Sequence, residues 1–404
     1  MEKTKEFCLY LDEIIDVRLL SEERALVCSN NEMLKVVELA SGAVQQSSGG
    51  HEDIILCLDT YQGEFFLTGS KDNTARLWTY KDGRLQCCAV FAGHNESVAS
   101  VCFAPKKMGF FVSASQDNTI KVWAEPRALA ESDTLVEVNS ATMTVMAHQK
   151  YINVVRVSPN DKLIASASQD KTIKIWNSQD LMLSQTLAGH KKGVWDCAFS
   201  PVDKMLVSAS GDKTVKVWNL ATGACLATLQ GHLTSLVKVA WLNAGLQIVS
   251  ASVDGVVKLW NLKKQACVNT IQMHEEKIWG IDVAHDKHIL TGGGDSTLKL
   301  WQDCTVEHDH EEKEKQLQRL QDEQKLSALI REEDFVEAAL VAFRLNKLRD
   351  FYLVINKVLS NAGAKADPVD AVLQDRAKFR KFIDSTSLPG KQTLATNSGD
   401  NSTI

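Results

Sequence analysis

No apolar run among the 404 residues approaches the roughly 18 needed to cross a bilayer as a helix. Behind Met1-Glu2-Lys3-Thr4-Lys5-Glu6 there is also no apolar core of about 7 to 15 residues of the kind that marks a secretory leader. Positive charge is short as well. Lys and Arg number 45 against 51 Asp and Glu, a net charge of -6, so nothing drives the whole chain onto nucleic acid or acidic lipid. Any RNA contact is expected to be local or made through a partner. The ten cysteines (Cys8, Cys28, Cys57, Cys87, Cys88, Cys102, Cys197, Cys225, Cys267 and Cys304) form no CxxC pair and no framework of short spacings. Several sit inside apolar runs such as Val101-Cys102-Phe103, where a cysteine acts as a small buried hydrophobe. These absences lead us to expect a soluble intracellular chain in a reducing compartment. Composition agrees, since 44% apolar and 24% charged residues belong to an ordinary globular protein.

What the sequence does contain is a repeat. Trp recurs at Trp78, Trp123, Trp176, Trp218, Trp260 and Trp301. Each lies six residues after an aspartate: Asp72, Asp117, Asp170, Asp212, Asp254 and Asp295. Each aspartate lies four after a hydroxyl residue, Thr68, Ser113, Ser166, Ser208, Ser250 or Thr291, and 21 to 23 after a histidine, His51, His94, His148, His190, His232 or His274. Two alternating strands separate histidine from aspartate, for example Val194 to Phe199 and Met205 to Ser210, and two more follow, Thr214 to Trp218 and Cys225 to Leu229. Four strands make one unit. Buried polar groups need partners, and an orphan costs about 1 to 3 kcal/mol, so the four residue types are expected to close one hydrogen-bonded chain in each unit. In Ser208-Ala209-Ser210 both hydroxyls share a strand face, and Ser208 is preferred.

Gly-His followed by Ser-x-Ser-x-Asp-x-Thr-x-Lys-x-Trp-Asn resembles the WD repeat of β-propeller proteins. The fold expected is mainly β, a seven-bladed WD-repeat propeller over residues 1–303, then an α-helical extension over 304–384 and a disordered tail over 385–404. The first blade is degenerate, with Asn31 in place of the aspartate and Val37 in place of the Trp. The lone strand Glu6 to Tyr10 is expected to complete the last blade and so remove an exposed edge.

Irregularities stand out against such a frame. Trp123 and Trp176 are 53 residues apart where other spacings are 41 to 45, so Ala124 to Ser140 reads as an inserted loop projecting from the propeller. Trp195 and Trp279 lie five after their histidines, where other units carry Leu56, Ala99, Asn153 and Val237. By the resemblance to WD-repeat proteins this position is similar to the rim residue that often meets ligands there, so both are candidate partner-binding residues; packing between blades is the alternative. Arg76, Lys121, Lys174, Lys216, Lys258 and Lys299 recur two before each Trp, as a basic ring or, more simply, as stems covering the blades.

After Trp301 comes the charged stretch Glu307-His308-Asp309-His310-Glu311-Glu312-Lys313-Glu314-Lys315. His308 and His310 lack further closely spaced ligands, so no metal site is expected. Leu317, Leu320, Leu326, Leu329 and Ile330, then Phe335, Ala339, Leu340 and Phe343, then Phe351, Ile355, Val358 and Leu359 fit three amphipathic helices. Propeller, Leu-Ile-Arg-Glu-Glu-Asp-Phe-Val-Glu-Ala-Ala-Leu and Phe-Tyr-Leu-Val-Ile-Asn-Lys-Val together resemble the transducin-β-like WD-repeat subunits of the small-subunit processome. That family has tandem propellers before a helical domain, so this chain looks like a fragment or short form with one of them. The resemblance implies a nucleolar scaffold among processome proteins and the U-three snoRNP in pre-rRNA processing, with RNA contact indirect. No catalytic residue, cofactor, metal, membrane or small-molecule substrate is expected. Ser/His/Asp triplets recur in every clear unit, there is no GxxxxGK[ST], and Gly292-Gly293-Gly294 precedes a blade turn. The rival is a cytoplasmic or nucleoplasmic WD-repeat adaptor of another complex, such as a ubiquitin-ligase substrate receptor.

Overall fold

The computed structural model describes residues 2–332 apart from 9–11, 22, 47–49, 82–83, 131–134, 285–287 and 303–304, and beyond these only 338, 341–342, 345, 347 and 353–354. Two compact units divide at Cys304 and Thr305. The first is a seven-bladed β-propeller. Blade 5 shows how the sequence builds each blade. Val194–Phe199 lines the axis, and Met205–Ser210, Thr214–Asn219 and Cys225–Gln230 follow outward as an antiparallel meander. The second strand is covered on both faces and is buried almost throughout. Thr214–Asn219 alternates because its polar side chains face a less crowded surface, and Cys225–Gln230 buries only every second residue against the next blade.

Seven apolar clusters hold the ring, one between each pair of neighbouring blades. In six of them the Trp of one blade packs on the blade before it, and between blades 7 and 1 Val37 takes its place. Trp218, for example, joins Val154, Ile173 and Leu187 of blade 4. Blade 1 (Ile14–Leu19, Arg24–Ser29, Leu34–Glu38, Val44–Gln46) keeps the geometry without the polar set, since Val27 and Val37 fill its interior. Its Lys35 takes the recurrent basic position and donates to Ser29 Oγ at 2.9 Å. The ring closes through Glu2–Cys8, which pairs antiparallel with Thr297–Gln302 of blade 7, and Lys299 Nζ sits 3.1 Å from Glu6 across that seam.

The stretch after Trp123 differs from a projecting loop. Pro126–Ala130 forms a short helix, α1, and Val136–Val138 runs parallel to the outer strand Arg84–Ala92 of blade 2 as its fifth strand. The reason is apolar: Leu129, Val136 and Val138 pack on the cluster between blades 2 and 3, so the insertion covers a sheet edge.

In the second unit the charged stretch is no separate lead-in. Helix α2 is continuous over Thr305–Arg331. Its C-terminal part buries Leu326 and Leu329 with Ala338, Val341, Ala342 and Val354, whereas Leu317 and Leu320 are exposed. Lys347 and Glu323 pair at 2.9 Å. The two further helices expected from the sequence lie mostly, and the 385–404 tail entirely, outside the described residues.

Candidate functional site, the face carrying the histidine loops and aspartate turns

Five of the six sequence tetrads close as expected. His51, His94, His148, His190 and His274 place Nδ1 2.8 to 2.9 Å from Asp72, Asp117, Asp170, Asp212 and Asp295. Their Nε2 atoms lie 2.6 to 2.8 Å from the hydroxyls of Thr68, Ser113, Ser166, Ser208 and Thr291. Trp78, Trp123, Trp176, Trp218 and Trp301 donate their indole N–H to the same hydroxyls at 2.8 to 3.1 Å. An ionised carboxylate only accepts, so Nδ1 carries the proton and Nε2 accepts from the hydroxyl. Each aspartate also accepts from a threonine hydroxyl two residues on: Thr74, Thr119, Thr172, Thr214 and Thr297 at 2.6 to 2.7 Å. Ser210 does different work from Ser208: it donates to the carbonyl oxygens of Lys192 and Gly193 and pins the rim loop.

The sixth set is incomplete, which corrects the sequence reading. His232 meets Ser250 at 2.7 Å and Trp260 donates to Ser250 at 2.8 Å, but Asp254 turns to the Ser252 hydroxyl and His232 Nδ1 is left buried without a partner. The cause is one position. Val256 stands where the other five units have threonine, so no hydroxyl holds the carboxylate toward the histidine.

Electrostatics follow this geometry. Burial alone raises a carboxyl, yet the bonds from His51 and Thr74 hold Asp72 well below the carboxylate range, and Asp117 and Asp170 behave alike. Asp212 is held at about 2, against burial, by Thr214, the Lys191 N–H and His190. Burial lowers His51, His190 and His274 despite their aspartates, and lowers His232 to about 4, with Lys258 adding to the effect.

The rim position has a structural basis that the sequence did not reveal. In all seven innermost strands the ladder slips by one residue near the face that carries these loops, as between Val194 and Asp196 or Ile278 and Gly280. Ile15, Leu56, Ala99, Asn153, Trp195, Val237 and Trp279 are the extra residues of these bulges, a geometry that re-aims a side chain out of the sheet. Trp195 is 38% exposed, enough to offer a ring to a partner. Trp279 is half-buried, with the Lys277 ammonium 5.5 Å from its ring centroid.

The recurrent bases do not form a free ring. Lys121, Lys216 and Lys258 donate to Thr144, Thr228 and Thr270 on the fourth strands, Lys174 to the Ala147 carbonyl, and Lys299 is paired with Glu6, while Arg76 Nε is buried. They are stems and clasps, as the simpler reading held.

Sequence reasoning missed the axis. Asp16 accepts from Leu58 N, Asp59 from Phe103 N, Asp196 from Val239 N and Asp282 from Leu19 N, at 2.7 to 3.1 Å, so carboxylates stitch four of the seven innermost strands to the next. Ser100 does the same for Val155 N at 3.1 Å. Arg18, Arg156 and Lys238 balance them at 3.2 to 3.7 Å. Burial nonetheless pushes Asp282 above the usual carboxylate range. The available signal was a charged residue in an otherwise apolar first strand, such as Ile14-Ile15-Asp16-Val17-Arg18.

The profile for the WD domain, G-beta repeat, matches residues 42–79, 85–124, 139–177, 182–219, 223–261 and 265–302, together more than half of the chain. The chain belongs to the WD-repeat family. Among curated relatives, Transducin beta-like protein 3 of Homo sapiens is 39% identical over 180 residues, 43% of this chain and 22% of that protein. U3 small nucleolar RNA-associated protein 13 of Saccharomyces cerevisiae is 32% identical over 198 residues, 43% of this chain and 23% of that protein. Ribosome biogenesis protein WDR12 homolog of Oryza sativa subsp. japonica is 27% identical over 172 residues, 42% and 37%. The chain thus spans less than a quarter of the length of the first two. Among the described residues no group of three or more His, Cys, Asp or Glu is placed to hold a metal ion, and no helix is long and apolar enough to cross a membrane.

Proposed function

We propose that the chain is a non-catalytic WD-repeat scaffold in pre-rRNA processing, acting in the small-subunit processome through protein partners seated on the face that carries Trp195 and Trp279. The observation that carries the non-catalytic part is saturation. Ser208, in the Ser/His/Asp set of blade 5, is wholly buried and its oxygen is occupied by both His190 and Trp218, so no substrate carbonyl can approach it. The same chemistry recurs blade after blade, as an architectural joint does and a single active centre does not.

Relatives named for U3 small nucleolar RNA or ribosome biogenesis support this process. On this reading the chain is nucleolar, it joins processome proteins and the U3 snoRNP, and contact with RNA runs through those partners. Fluorescent tagging of the full chain tests it. Nucleolar signal that is lost on deleting residues 311–404 is expected; diffuse cytoplasmic signal from the intact chain contradicts it and favours an adaptor of another assembly.

A further inference from the structure

The face that holds the tetrad loops is split by charge. In blades 4 and 5 the two residues after each histidine and the residue after each aspartate supply Lys150, Lys191, Lys192, Lys171 and Lys213, all exposed. Among the described residues none of the five forms an ion pair. The matching positions after the histidines of blades 7, 2 and 3 hold Glu275, Glu276, Glu52, Asp53 and Glu96.

The lysine loops are one surface. Tyr151 and Lys150 are tied to the Lys171 turn through Ser168, and Lys192 is tied to the Lys213 turn through Ser210. Blade 4 reaches blade 5 through Asn153 Nδ2, which donates to the Val194 carbonyl at 2.6 Å. Blade 5 reaches blade 6 through Ser235 and the Gly211 carbonyl at 3.4 Å. Apolar groups lie within or beside this sector: Tyr151 is 53% and Trp195 38% exposed, and Leu233 on the adjoining blade 6 loop is 80% exposed.

Backbone conformation argues that the lysines are there for a reason. The residue after each tetrad aspartate is left-handed, at φ 70 for Asn73, 67 for Asn118, 77 for Gly255 and 60 for Ser296. Asparagine and glycine take this conformation readily, yet blades 4 and 5 hold Lys171 at φ 73 and Lys213 at φ 70. Lysine takes it less readily, and both of these lysines fall in the two blades that carry the others.

We propose that the blade 4 and 5 sector, with Lys150, Lys171, Lys191, Lys192 and Lys213 around Trp195, binds a short acidic polypeptide segment carrying an apolar anchor residue. The proposal rests on the reading of this face as the partner-binding one. A polypeptide fits better than a nucleic acid for two reasons. The lysines span only two blades, and the matching positions of blades 7, 2 and 3 are acidic, which repels a polyanion charged at every nucleotide. Leu233, with no charge or hydrogen bond to offer, suits an aliphatic or aromatic anchor.

Fluorescence anisotropy tests this on the full chain with labelled 12-residue peptides, each of six Glu, flanking Gly and Ser, and a central Leu, Phe or Trp. Binding is expected for at least one of them, weakened about tenfold by K191E/K192E, weakened by Trp195→Ala, and reduced on raising salt from about 50 to 200 mM. E275K/E276K, on the acidic sector, is expected to leave it unweakened. The proposal is overturned if no peptide binds, if K191E/K192E binds as tightly as the parent, or if a 12-nucleotide single-stranded RNA binds this sector in preference. Failure here with nucleolar retention intact removes the acidic segment and leaves the scaffold reading standing.

Discussion

Asp212 and Asp254 occupy equivalent positions in adjacent blades, yet only Asp212 meets its histidine, and the difference traces to a hydroxyl on Thr214 against a methyl on Val256. Asp212→Ala or His190→Ala is expected to cost about 1 to 3 kcal/mol, because each orphans buried partners. Asp254→Ala should cost clearly less, since Asp254 holds no histidine; equal losses in urea unfolding would contradict the assignment. Val256→Thr is nearly isosteric and restores the missing hydroxyl. It should raise stability by about 0.5 to 1.5 kcal/mol and lift His232 from its titration at about 4 in NMR. The pH dependence has a definite sign. His232 titrates lower folded than unfolded, so the unfolded chain takes up the proton first and stability falls as pH drops from about 6.5 toward 4. Asp212 is held at about 2, so its contribution is present above the ordinary carboxylate range and is lost as pH falls from about 4 toward 2. Melting temperature should therefore decline through both windows, and a melting temperature level between pH 8 and 4 would contradict the burial of these histidines.

At the scale of elements, the strand Glu2–Cys8 matters more than its place near the chain's start suggests. It supplies the fourth strand of blade 7 and places Phe7 against the cluster between blades 7 and 1. Deleting residues 2–8 is expected to lower the unfolding midpoint and to promote self-association through the bared edge of Thr297–Gln302, measured by size-exclusion chromatography. An unchanged elution volume and midpoint would contradict that role. Elements also show where sequence is legible. Blades could be counted because histidine, hydroxyl, aspartate and Trp keep a fixed spacing, and that spacing is imposed by one hydrogen-bonded chain. The fifth strand of blade 2 was not legible: Val136–Val138 is three residues long and pairs parallel to Ala89 through Phe91, a long-range choice that no local pattern encodes. The axial carboxylates escaped for a similar reason, since Asp16 accepts from Leu58 N of the next blade, a long-range partner. The break at Asp254 was visible in Val256 once threonine was recognised as part of the set.

The propeller unit is a closed ring whose regular residues are spent on its own closure, leaving the irregular ones free for partners. Trp195 and Trp279 project from bulges repeated in every blade, so losing their rings should leave the joints intact. Trp195→Ala and Trp279→Ala are accordingly expected to weaken a partner while shifting the melting temperature little; a collapsed fold would assign them to packing instead. The central claim, a non-catalytic scaffold of pre-rRNA processing, is tested most directly by affinity purification of the tagged full chain followed by mass spectrometry. Recovery of small-subunit precursor proteins and U3 snoRNP proteins, reduced for the Trp195→Ala/Trp279→Ala double variant, is the predicted result. Recovery of ubiquitin-ligase subunits in their place would contradict it.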